Sequence, residues 1–108
     1  MIRELNWQAV TEQERNKAIN ELKSMILNSG GYIINSIFFS DLALSLTIEI
    51  EEKDIFILHS KFNEFMTISA LGLENLNDNS DKQWWIFLNV TFNQGKGNLK
   101  VEVPEVPG

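Results

Sequence analysis

The sequence has no cysteine, a single histidine and only two prolines in 108 residues. Without cysteine there is no disulfide, no thiolate metal site, no iron–sulfur ligation and no cysteine nucleophile. The lone histidine, His59, excludes a histidine pair, so any acid–base role would need a carboxylate brought from elsewhere. Positive charge is also scarce. Nine Lys and Arg face fifteen Asp and Glu, for a net charge of −6, and such a field repels nucleic-acid backbones and anionic membrane surfaces. No apolar run approaches the roughly 18 residues of a membrane span. Residues Met1 to Val10 carry Arg3, Glu4, Asn6 and Gln8 rather than an apolar leader. These absences lead to the expectation of a cytoplasmic protein with no cofactor, no nucleic-acid partner and no membrane partner.

Hydrophobic residues make up 44% and charged residues 22%, the balance of a chain that folds around one core. Residues 1–108 are expected to form a single domain, with 104–108 as an extended tail after Pro104. No internal repeat or low-complexity block interrupts it.

Two segments alternate with period two. Leu42, Leu44, Leu46, Ile48 and Ile50 alternate with Ala43, Ser45, Thr47, Glu49 and Glu51. Trp84, Ile86, Leu88, Val90 and Phe92 alternate with Trp85, Phe87, Asn89, Thr91 and Asn93. Both predict strands. A weaker alternation over Ile2–Trp7 predicts a short edge strand, and Thr67–Leu71 another short one. Tyr32–Phe39 is apolar on both faces, with Tyr32, Ile34 and Phe38 on one and Ile33, Ile37 and Phe39 on the other, so it calls for cover on both sides. Thr11 and Glu14 have the form of a capping box ahead of Ala18, Ile19, Leu22, Met25 and Ile26 at helical spacing. Gly30 and Gly31 stop that helix. Glu51, Glu52 and Asp54 precede a second helical stripe of Ile55, Leu58, Phe62 and Phe65, with carboxylates at the positive end of the dipole. Residues 72–82 form a polar surface loop, the segment expected to move most. Gly95 and Gly97 would turn the last strand into a hairpin with Leu99, Val101 and Val103.

This order predicts an α+β fold: a ferredoxin-like two-layer sandwich, with two helices on one face of an antiparallel sheet and a C-terminal strand hairpin. Leu44, Leu46, Thr47, Ile48, Glu49 and Ile50, followed by Glu52, Asp54, Ile55 and Leu58, resemble the strand, acidic turn and helix in the second half of ACT regulatory domains. The resemblance covers about a quarter of the chain. It implies a domain that binds a small effector, commonly an amino acid, at a glycine-bearing turn after the first strand; Gln8–Thr11 stands at that place here, without a glycine.

Polar residues supply little chemistry. No serine stands in a Gly-x-Ser-x-Gly elbow, and Gly95–Lys96–Gly97 lacks the spacing of a phosphate loop. Asn77, Asp78, Asn79 and Asp81 lack the glycine and terminal glutamate of a calcium loop. Glu49 and Glu51 share a strand face and could meet Glu102 around Mg²⁺ or Ca²⁺; separate solvated charges on the open side of the sheet are the better explanation. His59 reads most simply as a packing residue beside Ile55 and Phe62.

The aromatics say more. One sheet face meets the helices, so Trp85 and Phe87, or else Trp84 and Ile86, must point away from them, where a bare aromatic patch is unusual for a monomer. Trp84, Trp85, Phe87, Tyr32, Phe38 and Phe39 are therefore the candidate interface. A second copy packed sheet on sheet is the first expectation. A folded-over tail, the 72–82 loop or an apolar ligand would also cover the patch. The expected function is a non-enzymatic binding or regulatory domain, a homodimer taking a small effector or a protein. The alternative is an immunity or antitoxin type of inhibitor whose acidic surface masks a basic partner.

Overall fold

A computed structural model describes residues 3–93. The elements run β1 (Arg3–Thr11), α1 (Arg15–Asn28), β2 (Tyr32–Ser40), β3 (Ala43–Glu51), α2 (Glu52–Phe65), β4 (Thr67–Ile68) and β5 (Gln83–Phe92). The strands form one mixed five-stranded sheet in the order β2-β3-β5-β1-β4. The fold is α+β with two helices, as expected, but the strand order differs from the ferredoxin-like plan and the sheet is not wholly antiparallel. That plan sets the first and third strands side by side. Here β5 separates them, antiparallel to β3 and parallel to β1 over nine residue pairs each.

The reason lies in β5 itself. Trp84, Ile86, Leu88, Val90 and Phe92 are all buried, and Trp85, Phe87 and Asn89 opposite them are half-buried. A strand with so much apolar surface keeps least of it in water at the centre of a sheet. Both its edges are paired; the predicted hairpin to Leu99, Val101 and Val103 lies outside the described residues.

β1 also departs from expectation. It is an inner strand nine residues long, with Leu5, Trp7, Ala9 and Thr11 turned into the core. Gln8–Thr11, expected as a turn, belongs to it, because β5 supplies partners as far as Thr11. Thr11 is therefore occupied in the sheet, where its carbonyl accepts from Asn93 N–H at 2.7 Å. It does not cap α1. Glu14 does so, its carboxylate accepting from Lys17 N–H at 3.0 Å and Asn16 N–H at 3.1 Å, and those two bonds hold its pKa below the ordinary carboxylate value.

α1 lays Ala18, Leu22 and Ile26 on the sheet. It closes with two nested bonds: Gly30 N–H donates to Leu27 O at 3.1 Å and Gly31 N–H to Ile26 O at 2.9 Å. Gly30 has φ +84°, where a side chain is strained. α2 adds Ile55, Leu58 and Phe62. Both helices share one core with the inward rows of β1, β3 and β5, so among the described residues the opposite sheet face carries no helix.

β4 is only two residues long, shorter than the predicted Thr67–Leu71. The chain then returns along the margin through residues 69–82 to reach β5. This loop is tied down at several points. The indole N–H of Trp7 donates to Leu71 O at 2.9 Å, and Glu52 accepts from Asn77 N–H at 2.8 Å and from Trp84 Nε1–H at 3.4 Å. Lys53 N–H reaches Ser80 O at 3.0 Å and Glu52 N–H reaches Lys82 O at 2.9 Å.

Candidate functional site

The exposed apolar surface is concentrated at one place. Of the ten exposed large hydrophobic residues among those described, Tyr32, Ile34, Ile37, Phe38 and Phe39 lie on β2, and Leu42 lies in the turn after it. Tyr32 is 66% exposed and Phe39 68%. Among the described residues β2 ends the sheet, paired only with β3. Its apolar faces call for cover on both sides, yet among the described residues both are open.

Register decides which way its side chains point, because residues opposite each other across a ladder share a face. Tyr32 faces Glu49, Asn35 faces Thr47 and Ile37 faces Ser45, all on the helix-free side. Ile33 faces Ile48, Ser36 faces Leu46 and Phe38 faces Leu44, on the helix side. Register shifts at Ile33/Asn35 and at Phe38/Ser40 leave Ile34 and Phe39 without partners. Each extra residue reverses the alternation beyond it, which is why Phe38 joins Ile33 rather than Tyr32, contrary to a strict period of two. Phe38 in turn receives the Arg15 guanidinium, 4.6 Å from its ring centre, a cation–π contact between the start of α1 and the edge strand.

On the helix-free face Trp85 and Phe87 shield each other, edge to face with centroids 6.3 Å apart. Both are half-buried. Polar groups surround them: Asn6 lies beside Phe87 and Glu4 beside Trp85 on β1, Thr47 and Glu49 on β3. Ser45 hydroxyl donates to Asn89 Oδ1 at 2.6 Å on the same face. Trp84 turns the other way and is 5% exposed, so it belongs to the core and leaves the candidate surface.

The six aromatics thus separate. Tyr32, Trp85 and Phe87 share the helix-free face, Phe38 lies on the helix side, Phe39 stands at a bulge and Trp84 is internal. Ile34, Ile37 and Leu42 join the exposed set. Leu42 continues the inward row of β3 in the alternation, but it falls in the turn, held by Leu42 N–H to Ser40 Oγ at 3.0 Å. Ile37 and Ile34 lie within the predicted apolar strand, and the absence of any charged residue from Tyr32 to Ser40 is the signal available for them.

The polar candidates are held in structural contacts. His59 packs edge-on against Trp7 at 4.8 Å. Its Nε2 lies 2.8 Å from Ser69 O; a carbonyl can only accept, so Nε2 carries the proton. Glu51 pairs with Lys53 at 3.3 Å, an exposed contact of the kind worth little. Glu49 stands one row away on the same strand face, and Glu102 lies outside the described residues. Among the described residues no three His, Asp or Glu side chains come together to hold a metal, and no helix is long and apolar enough to cross a membrane. No protein family, no curated protein and no solved structure matches the chain.

Proposed function

We propose that the protein is a binding domain that acts as a homodimer, and that its contact surface is the apolar margin formed by β2 and Leu42. The observation that carries this reading is the clustering of six exposed large hydrophobics within residues 32–42. Single exposed apolar residues are ordinary, whereas a contiguous set on one element marks a contact surface. Trp85 and Phe87 are a lesser part of the surface than the sequence suggests, because they cover each other.

Size-exclusion chromatography with light scattering on the full chain at micromolar concentration tests the reading. It predicts twice the chain mass; the mass of one chain overturns it. The inhibitor reading requires instead a basic partner held through the acidic surface, and salt-sensitive capture by such a partner of a chain that is monomeric alone would replace the homodimer.

A further inference from the structure

The outer edge of β2 is a row of backbone N–H and C=O groups with no strand beyond it among the described residues. An edge of this kind is a template for another strand unless it is short, charged, interrupted by proline or bulged. β2 has two bulges, but it is nine residues long and contains no Lys, Arg, Asp, Glu or Pro. Charge narrows where two copies can meet. Two copies, each carrying −6, repel across most of their surfaces. The Tyr32–Ser40 strip is a stretch of nine residues where they meet without placing carboxylate against carboxylate.

Resting on the homodimer reading above, we propose that β2 pairs antiparallel with β2 of a second copy, joining two five-stranded sheets into one continuous sheet. A two-fold axis normal to the sheet closes the pair and keeps both sets of helices on the same side. Such an axis sets residues opposite each other on the same face, so it passes midway between one residue and its own copy. The uninterrupted register between the bulges is Asn35–Phe38. An axis at Ser36 sets Asn35 against Ile37. An axis at Ile37 sets Ile37 against its own copy on the helix-free face and Ser36 against Phe38 on the other. The second arrangement matches apolar with apolar across the axis, and cross-strand pairs of that kind stabilise a ladder. Ile37 therefore lies on the axis.

Because the chain has no cysteine, single cysteines report on this directly. Residues opposite each other in an antiparallel ladder have Cα atoms about 4.5–5.5 Å apart, within the range a disulfide spans. Under mild oxidation of the full chain, Ile37→Cys is expected to give a covalent dimer in high yield. Asn6→Cys, beside Phe87 on the helix-free face, is expected to stay uncrosslinked. As a second variant, Ile37→Lys places a charge on the edge and is expected to shift light scattering from two chain masses to one, while Asn6→Lys leaves it unchanged. Cross-linking through Asn6→Cys but not Ile37→Cys, in a chain that scatters as a dimer, overturns strand pairing and leaves a sheet-on-sheet homodimer standing. A wild-type chain of single mass overturns both readings. So does protection in that monomer of the β2 amides that point away from β3, which would mean that residues of the same chain outside 3–93 cover the edge.

Discussion

The two margins of the sheet are built in opposite ways. At one, β4 offers two residues, and the chain beyond it is drawn back over the margin by Trp7, Glu52 and Lys53 through bonds to residues 71–80. At the other, β2 offers nine residues, uncharged and exposed on both faces. Edge strands invite association. Among the described residues, one margin of this molecule is closed by its own chain and the other is open.

The largest expected effect lies at the closed margin. Trp7 is fully buried, meets His59 and Phe62 edge-on and donates to Leu71 O. Trp7→Ala is expected to cost about 3–5 kcal/mol, seen as a lowered denaturant midpoint, with faster amide exchange through residues 69–76. Protection of that loop unchanged in the variant would show that Trp7 does not hold it.

Gly30 governs how the chain enters β2. Its φ of +84°, together with Asp54 Oδ2 only 3.2 Å from where a Cβ would stand, predicts that Gly30→Ala lowers stability by about 1 kcal/mol. Thermal unfolding measures it. A neutral result would mean that the turn relaxes without strain.

A smaller effect, confined by pH, belongs to Glu52. The Asn77 N–H, followed by the Trp84 and Ser80 side chains, holds its pKa below the ordinary value of 4.5. A group lowered in the folded state stabilises the fold when ionised. That contribution is complete above pH 4.5 and is lost as pH falls through the folded pKa. Glu52→Gln is therefore expected to unfold at lower temperature than wild type at neutral pH and to converge with it once the pH lies below the folded pKa. An equal gap at both pH values would refute the carboxylate's part in tethering the loop.

The smallest effect on stability is expected at the open margin. Phe39→Ser removes a side chain that is mostly in water and has no partner in the ladder, so unfolding of the isolated chain should change by less than about 0.5 kcal/mol. Self-association should weaken measurably. A large loss of stability with unchanged association would reverse the roles assigned to the two margins.

The same contrast shows what the sequence can and cannot reveal. Alternation in Leu44–Ile50 and Trp84–Phe92 identifies β3 and β5, because each strand buries one face and period two follows from that alone. The stripe of Ile55, Leu58 and Phe62 and the stop at Gly30–Gly31 place the helices for similarly local reasons. Strand order is not local. The seat of β5 between β3 and β1 depends on pairing with β1 across most of the chain, Arg3 with Trp84 at one end and Thr11 with Phe92 at the other. Gln8–Thr11 is strand only because β5 is there to pair with it. The apolar content of Tyr32–Phe39 is visible in the sequence; its two bulges are not, and the first of them moves Phe38 to the helix side. For the candidate surface, composition indicates excess apolar area in Tyr32–Phe39 and Trp84–Phe87. It places Trp84 on that surface because nothing in the alternation says which of two aromatic faces looks inward.

Exchange of those backbone amides of Asn35–Phe38 that point away from β3, compared in the wild-type chain at high and low protein concentration, tests the open margin most directly. Pairing between copies predicts slow exchange when concentrated and rapid exchange once dilution separates them. Rapid exchange at every concentration, or slow exchange that dilution does not alter, contradicts it.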